Sequence, residues 1–453
     1  MPSVAVVKTH TRYVCRACGS IAPRWQGRCS SCAEWNALEE ITEARTVHSD
    51  HVRASPLSAV PEDTAAPVPS GIAELDRVLG GGFVAGSTTL LYGEPGVGKS
   101  TLALMALRAM AARSTDVLLV AAEESGPQVA ARARRLGPVP ATLELATTTS
   151  VVGAAALLGE RRRDLCVVDS ISAMSDDALS SVVGSVPQVR HAAERLCAVA
   201  KDNGSALVLI GHVTKDGELA GPRALEHLVD TVIRIEGDRH GTLRLLRAQK
   251  HRFGPTGEVG LFEMVSEGLR ELSDASRLAR VPHLEVPGVV LTVTNDGSRS
   301  FLVEIQALVA RAAGATRRVA YQVSSPRLSL LLAVLEARCD VDTSGLDVFA
   351  ATAGGLAANE PGVDVALALA IASAANDFAV TPSLVAIGEV GLAGELRAVS
   401  GLTRRVREAQ RFGAEVLIVP AEGELEPVEG VQVQRCASLA SAIEVARGLR
   451  RAA

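Results

Sequence analysis

The sequence predicts an α/β protein whose largest domain is built on a mostly parallel sheet covered by helices on both faces. Three observations predict this architecture. Apolar runs of strand length alternate with helical segments between residues 88 and 210. A glycine-rich loop with the pattern GxxxxGKS, residues 93–100, separates the first strand from the first helix. Two CxxC pairs near the N-terminus indicate a small additional module.

The order of elements supports one continuous sheet. The segment from 43 to 68 is rich in Ala, Ser, Pro, His and Asp without periodicity, which is typical of a linker. The expected strands are 88–92, 117–122, 143–146, 165–169 and 206–210. The expected helices are 101–108, 128–136, 152–162 and 188–201. Strands that alternate with helices in this way favour parallel pairing.

The composition is that of a globular protein with few aromatic residues: 47% hydrophobic, 21% charged and 3% aromatic. A formal net charge of −5 argues against a uniformly basic nucleic-acid-binding surface, while a local basic channel is compatible with it. The N-terminus has no signal-peptide pattern, and no window reaches the ~18 apolar residues of a membrane span. We therefore expect a cytoplasmic protein with no membrane association.

The glycine-rich loop GEPGVGKS is the strongest functional signal. Its glycines let consecutive backbone N–H groups face phosphate groups, and the positive end of the following helix adds to the same field. Lys99 is expected to reach the terminal phosphates, and the Ser100 hydroxyl to ligate magnesium. The residues expected to bind the nucleotide are Gly93, Glu94, Pro95, Gly96, Val97, Gly98, Lys99, Ser100, Thr101 and Asp169.

Carboxylates at the ends of two other strands extend this site. Asp169 ends an apolar strand, where it can hold magnesium or its water opposite Ser100. Glu123 and Glu124 also end a strand, so either can polarise the attacking water as a general base. Capping of the next helix is the competing explanation for both. Glu123 is the preferred candidate.

Four clustered cysteines predict a structural zinc site. Cys15 and Cys18 are separated by ten residues from Cys29 and Cys32, and two such knuckles close a tetrahedral sulfur site around Zn²⁺. Two disulfides are the alternative, which a reducing cytoplasm opposes. Trp25 and Trp35, the two tryptophans of the chain, are expected to pack over the zinc site rather than stack on a base.

A basic segment follows the sheet. In an extended chain, residues two apart point to the same side, so Lys250 and Arg252 would present two cations in one direction. Such a pair is suited to completing the phosphate site of a neighbouring subunit, as arginine fingers do. The alternative is a solvated basic strand end.

Several motifs in the same order resemble bacterial RadA, also called Sms. They include the CxxC pairs with Glu34-Trp35-Asn36, the GEPGVGKS loop, Ala122-Glu-Glu-Ser125 and the KHRFG stretch, in which His251 stands where that family usually has Asn. The resemblance implies a RecA-like ATPase core related to ring-shaped replicative helicases of the DnaB type. It implies ATP and Mg²⁺ as ligands and a hexamer that acts on single-stranded and branched DNA beside RecA. His212 and Lys215 would couple phosphate sensing to DNA loops.

The C-terminal third resembles the protease domain of Lon. Gly362 stands where that family has its nucleophilic serine, and Thr403 stands at the lysine position, so the catalytic dyad is absent. The expected organisation is a zinc module at 1–42, a linker at 43–68, a RecA-like ATPase at 69–272 and a Lon protease-like α+β domain at 273–453. Four arginines are candidates for a phosphate-facing patch on that domain, with a solvated charged face as the alternative for each: Arg311, Arg317, Arg318 and Arg327.

The leading hypothesis is a DNA-dependent ATPase that acts as a DNA motor in recombination and repair, with Lys99, Glu123, Lys250 and Arg252 as catalytic residues. The alternatives are a nucleotide-switched DNA-binding scaffold that does not translocate and an ATP-dependent protease. The missing dyad opposes the protease.

Overall fold

The computed structural model describes residues 8–15, 21–22, 24–30, 32–45, 56, 58, 66–179, 181–212, 225–237, 241–272, 285–353 and 356–449. The chain divides into two compact units, Met1–Thr64 and Ala65–Ala453. Across the described ranges, no helix is both long enough and apolar enough to cross a membrane.

The first unit is a small antiparallel sheet with a tight knuckle beside it. Its strands are β1 (Lys8–Cys15), β2 (Ile21–Ala22) and β3 (Leu38–Arg45), in the order β2-β1-β3. Strand β3 therefore continues past residue 42, where the module was expected to end. The buried apolar residues are few: Cys15, Ala22, Cys29, Ala37 and Leu38. A core of this size is too small to stabilise a fold by apolar burial alone, which favours a bound metal.

The second unit begins with a nine-stranded sheet in the order β12-β11-β10-β9-β4-β8-β7-β5-β6. Strands β9, β4, β8, β7, β5 and β6 pair in parallel, whereas β10, β11 and β12 are antiparallel. The strands are β4 (Thr88–Gly93), β5 (Val117–Ala121), β6 (Leu143–Thr147), β7 (Leu165–Asp169), β8 (Leu207–His212), β9 (Thr231–Gly237), β10 (Leu243–His251), β11 (Val259–Val265) and β12 (Gly268–Glu271). The predicted mostly parallel sheet is confirmed.

Helices cover both faces of this sheet. They are α1 (Ala73–Val78), α2 (Lys99–Ala111), α3 (Gly126–Arg135), α4 (Val151–Gly159) and α5 (Val186–Asn203). Leu102 and Leu107 of α2 belong to the apolar cluster on one face, and Leu158 of α4 and Leu196 of α5 belong to the cluster on the other. Because both faces are covered, β4 and β5 are buried at every position, and β5 is a continuous apolar run.

The rest of the second unit is a seven-stranded mixed sheet in the order β15-β16-β14-β13-β17-β20-β21. Its strands are β13 (Val289–Asp296), β14 (Arg299–Arg311), β15 (Arg318–Tyr321), β16 (Leu346–Thr352), β17 (Leu384–Ala386), β20 (Val416–Pro420) and β21 (Gln432–Cys436), with β18 (Glu389–Val390) and β19 (Leu396–Arg397) paired separately. The helices are α6 (Ser325–Arg338), α7 (Asp364–Ala375), α8 (Leu402–Arg411) and α9 (Leu439–Gly448). Helix α7 is apolar all round because it lies in the centre of the core.

The expected boundary at residue 272 stays a prediction. Strand β12 ends at Glu271 and β13 begins at Val289, and residues 273–284 lie outside the described part of the chain.

Candidate nucleotide site and metal centre

The glycine-rich loop connects the end of β4 to the start of α2, as the sequence predicts. Gly98 directly precedes the first residue of the helix. Its φ of 111° is a backbone conformation that favours glycine. At Gly93 the constraint is spatial, because a Cβ there would lie 2.3 Å from the carbonyl oxygen of Ile235. These two glycines are therefore required by the turn and by the close approach of β9.

Lys99 points back into the loop. Its ammonium donates to the carbonyl oxygens of Gly93 and Glu94, both at 2.9 Å, and the residue is only 4% exposed. Burial lowers the pKa of Lys99, and the nearby carboxylates of Asp169 and Glu123 oppose that shift. A buried ammonium held by two carbonyls can exchange them for phosphate oxygens, which bind a cation more strongly.

Asp169 and Ser100 meet across the same pocket. Asp169 ends β7 and accepts a hydrogen bond from the side chain of Ser100 at the start of α2. Burial raises the pKa of Asp169, and the Ser100 hydrogen bond partly offsets the effect. A carboxylate and a hydroxyl are the hard oxygen ligands that Mg²⁺ prefers, so these two residues fit a magnesium ion.

Glu123 and Glu124 line this pocket but have different partners. The Ser170 hydroxyl donates to Glu123, and Glu124 forms an ion pair with Arg132. The capping explanation fails for both glutamates, since Ser125 caps α3 in a capping box. Glu123 also acts electrostatically on Lys99, which places it nearer the phosphate-binding residues. Ser170 and Arg132 were missed by sequence reasoning, although Ser170 directly follows Asp169.

Glu123→Gln should lower ATP hydrolysis about 100-fold or more while nucleotide binding is retained, because the amide keeps the shape but cannot accept a proton. Steady-state hydrolysis and equilibrium binding of a fluorescent ATP analogue measure the two effects. Glu124→Gln is the matched control, and it should lower ATP hydrolysis much less because the Glu124 carboxylate is paired with Arg132. A larger loss in Glu124→Gln would assign the base to that residue.

Lys250 and Arg252 lie at the opposite end of the sheet from the loop. The Lys250 ammonium donates to the carbonyl oxygens of Glu226 (2.7 Å) and Val229 (2.8 Å), and Arg252 donates to Asp230 at 3.0 Å. Both cations therefore face the segment that leads into β9. The Arg252 side chain is 56% exposed, whereas Lys250 is half-buried.

The strand register measures how far these cations are from their own loop. His251 pairs with Thr231, which pairs with Thr89, whereas Gly93 pairs with Ile235. The four residue steps from Thr89 to Gly93 correspond to roughly 13 Å of strand, which separates the level of His251 from the start of the loop. Asp230, the partner of Arg252, also accepts hydrogen bonds from Thr88 at the start of β4. The cations therefore belong to the edge of the sheet that faces away from the chain's own phosphate-binding loop.

His251 fills the position between the two cations. Its Nδ1 lies 3.0 Å from the Thr231 hydroxyl, and the ring packs against Gly80 and Gly254. Burial lowers the pKa of His251 and favours the neutral imidazole. The residue that replaces the usual asparagine thus anchors the end of β10 to β9.

A hairpin of the C-terminal domain supports the loop that carries Arg252. The N–H of Ser298, in the turn between β13 and β14, donates to the carbonyl of Gly257 at 2.6 Å. Beside this contact, Arg299 pairs with the buried Glu74, and Arg247 pairs with Asp296. An apolar cluster completes the contact; its members are Leu243, Val259, Leu261, Leu272, Phe301, Val303 and Leu356. Sequence reasoning missed this contact because its partners are far apart in the chain.

Gly297→Ala should disturb this contact and lower ATPase activity. The glycine has φ 57°, and a Cβ would lie 1.9 Å from the carbonyl oxygen of Gly257. Gly345→Ala is a matched control, with φ 67° and no atom within 4 Å of the added Cβ. The backbone cost of about 1 kcal/mol is common to both. Thermal melting and ATPase assays should show a larger loss for Gly297→Ala than for Gly345→Ala. Equal losses in the two variants would contradict a role of the hairpin in supporting the loop that carries Arg252.

The cysteine cluster has the geometry of a metal centre. The sulfur atoms of Cys15, Cys29 and Cys32 all lie within 4.8 Å of one another, and Cys15 and Cys32 are separated by 3.6 Å. That separation is close to the ~3.8 Å expected between thiolates on tetrahedral zinc, and far from the ~2.05 Å of a disulfide. Cys18, the fourth expected ligand, lies outside the described residues. The three thiols fit zinc, which would be structural.

Cys29→Ser should reduce bound zinc and unfold the first unit, because a small module folds only with its metal. Zinc content by atomic absorption and tryptophan emission report the change. Cys339→Ser, at a half-buried thiol of the C-terminal domain, is the control and should leave both unchanged. Full zinc occupancy in Cys29→Ser would contradict this ligand set.

The two tryptophans do not pack over the cysteine cluster as expected. Trp25 is 55% exposed and Trp35 is 68% exposed. Among the described residues, Cys15 and Cys29 instead share an apolar cluster with Ala22, Ala37 and Leu38. The prediction failed because the module has too few buried apolar residues to cover two indoles.

The C-terminal domain lacks the space for a nucleophile at residue 362. The guanidinium of Arg405, which is fully buried and paired with Glu360, would lie 2.7 Å from a Cβ on Gly362. The expected arginine patch is also reduced. Arg317 pairs with Asp347, Arg318 donates to the Leu346 carbonyl, and Arg327 pairs with Asp364. His212 ends β8, and Lys215 lies outside the described residues.

Three family models match the chain. Residues 68–160 match the ATPase model KaiC, residues 13–40 match the rubredoxin metal binding domain, and residues 352–423 match subunit ChlI of Mg-chelatase. Together with the glycine-rich loop and the mostly parallel sheet, these matches define a RecA-like P-loop ATPase with an N-terminal zinc module and a Lon-like C-terminal domain.

Curated relatives then identify the family. The chain is 41% identical to "DNA repair protein RadA" of Mycolicibacterium smegmatis, covering 97% of each chain. It is 39% identical to the Bacillus subtilis protein of that name, covering 98% of this chain and 100% of the relative. It is 40% identical to the Pseudomonas aeruginosa protein, covering 97% and 99%. The chain belongs to the RadA family, and the resemblance predicted from its motifs is confirmed.

Proposed function

We propose that this protein is a DNA-dependent ATPase that forms a hexameric ring, moves on single-stranded and branched DNA, and processes recombination intermediates together with RecA. The names of its relatives support a role in DNA repair. The ATPase model over residues 68–160 supports ATP as the nucleotide. The motor activity, the ring and the RecA partnership are the further steps of the proposal.

One observation carries the proposal: the phosphate-binding loop and the exposed Arg252 lie at opposite ends of the same sheet. A chain with this arrangement cannot bring Arg252 to its own nucleotide. A second copy can, if the edge that carries Arg252 in one subunit faces the loop of the next. A closed ring repeats this contact around the assembly. ATP hydrolysis is then tied to movement between subunits.

Each residue has a defined part in hydrolysis. Lys99 neutralises charge on the β- and γ-phosphates. Ser100 and Asp169 would hold Mg²⁺, which would supply electrostatic stabilisation of the phosphate oxygens. Glu123 accepts a proton from water as the water oxygen bonds to the γ-phosphorus. The bond from that phosphorus to the bridging oxygen breaks, and ADP leaves with the electron pair. Lys250 and Arg252 of the neighbour stabilise the charge that develops.

The experiment that tests the function is ATP hydrolysis with and without single-stranded DNA at low salt, followed by strand displacement and branch migration assays. The proposal expects DNA to stimulate hydrolysis and ATP to drive displacement. Stimulated hydrolysis without displacement would favour a nucleotide-switched scaffold. Hydrolysis that is indifferent to DNA would contradict both. The crowding of Gly362 by Arg405 argues against the protease alternative.

A further inference from the structure

The two tryptophans of the zinc module border one small space. A Cβ built on Gly27 would lie 3.7 Å from Cη2 of Trp25 and 3.9 Å from Cζ3 of Trp35. The absence of a side chain at residue 27 therefore leaves a slot between the edges of two indoles. Both rings are more than half exposed. Two neighbouring exposed indoles leave apolar surface in contact with water, and a ligand that covers them would remove that surface from water.

Backbone hydrogen bonds hold this slot in a fixed shape. The N–H of Asn36 donates to the Gly27 carbonyl at 2.9 Å, and Cys29 and Glu34 are joined in the same way. Arg28 and Trp35 face each other across an antiparallel bridge. A rigid frame lowers the entropy that a ligand loses on binding.

A positive charge lies against the slot. The guanidinium carbon of Arg28 is 5.6 Å from the centre of the Trp35 ring, and its Nε donates to the Ala33 carbonyl at 2.8 Å. Residues 8–45, which span the three strands of the module, contain six basic side chains and four acidic ones, although the whole chain has a net charge of −5. Charge complementarity therefore favours an anionic ligand at this module.

We propose that the slot formed by Trp25, Gly27 and Trp35 binds an unpaired nucleobase of single-stranded DNA, with Arg28 beside the adjoining phosphate. Indole faces and guanidinium groups are the platform that single-stranded nucleic acid stacks on, and such stacking tolerates any base. A protein partner would need a larger apolar surface, and the residues directly before and after each tryptophan in the chain are polar: Arg24, Gln26, Glu34 and Asn36. The inference rests on the proposed action on DNA and assigns a site for it.

The two indoles provide their own signal, because the chain has no other tryptophan. Single-stranded oligothymidine is titrated into the full-length zinc-loaded protein at low salt, and binding is followed by indole emission and by the anisotropy of the labelled DNA. An abasic oligomer of equal length carries the same phosphates without bases. We expect oligothymidine to quench the emission and the abasic oligomer to bind without quenching.

Two variants test the slot itself. Gly27→Val fills the space while both indoles stay, and Trp35→Ala removes one wall. Each should weaken oligothymidine binding about 5- to 100-fold, with zinc content unchanged. Tyr321→Ala removes an exposed aromatic side chain of the second unit and is the control; it should bind DNA as the unaltered protein does.

The outcomes separate this inference from the proposed function. Anisotropy that shows DNA bound while indole emission stays constant, in a protein whose ATPase is stimulated by DNA, overturns the slot and leaves the function standing. Quenching by RecA and not by DNA assigns the slot to a protein and also overturns the inference. Failure of the unaltered protein to bind DNA or to respond to it overturns both.

Discussion

Lys99→Ala should lower ATP hydrolysis about 100- to 1,000-fold. The ammonium is buried inside the phosphate-binding loop, where it donates to the carbonyls of Gly93 and Glu94. The guanidinium of the buried Arg244 donates to other carbonyl oxygens, those of Val97, Gly241 and Leu243. Removal of Lys99 therefore takes away the ammonium that lies at the Gly93 and Glu94 carbonyls when the γ-phosphate separates. The stabilisation is stronger in the transition state than in the bound nucleotide, so hydrolysis should fall more than binding.

Hydrolysis rates and the affinity for ATP, measured on the same preparation, test this prediction. Lys201→Ala is the matched control, since Lys201 is an exposed lysine in the last turn of α5. It should hydrolyse ATP at the rate of the unaltered protein. A Lys99→Ala protein that keeps more than half of the activity would show that the loop is not the site of hydrolysis.

Arg252→Ala should lower DNA-stimulated hydrolysis about 1,000-fold, the usual effect of removing an arginine finger. The side chain is exposed, and its ion pair within the described ranges is with Asp230, so its removal should cost little stability. Lys250→Ala should act in the same direction. It will also destabilise the fold, because the Lys250 ammonium holds the carbonyls of Glu226 and Val229.

Arg234→Ala provides the control for removal of an ion-paired arginine from the same sheet. Arg234 lies on β9 and pairs with Glu236, and its side chain is 46% exposed. Its loss should leave hydrolysis within a few-fold of normal. Thermal melting of all three variants establishes that they are folded. Normal stimulated hydrolysis by Arg252→Ala would leave the cation without a role in catalysis.

The central features could be predicted from local patterns. GEPGVGKS between an apolar strand and a helix determines the loop geometry, because Gly93 and Gly98 are needed at those positions whatever surrounds them. The parallel direction of β4, β8 and β7 follows from the alternation of strands and helices, whereas their order in the sheet does not. The distinction between Glu123 and Glu124 could not be predicted. It depends on Ser170 and Arg132, which lie on other elements.

The contacts between distant segments also escaped prediction. The pairing of Arg299 with Glu74 joins residues 225 positions apart, and no periodicity indicates it. Large aromatic side chains are usually buried in domains with larger cores, but Trp25 and Trp35 are exposed because the module has few apolar residues to cover them. The positions of Lys250 and Arg252 relative to the loop required the strand register. Residue types identified the chemistry, and topology decided which groups can meet.

The central claim is that one subunit binds the nucleotide and its neighbour supplies the cations. Mixing Lys99→Ala with Arg252→Ala protein and measuring DNA-stimulated ATP hydrolysis tests this claim most directly. Each variant alone is expected to be inactive, and the mixture should regain activity where an intact loop of one subunit meets Arg252 of the next. A mixture that stays inactive, although the subunits are shown to exchange, would contradict catalysis between subunits.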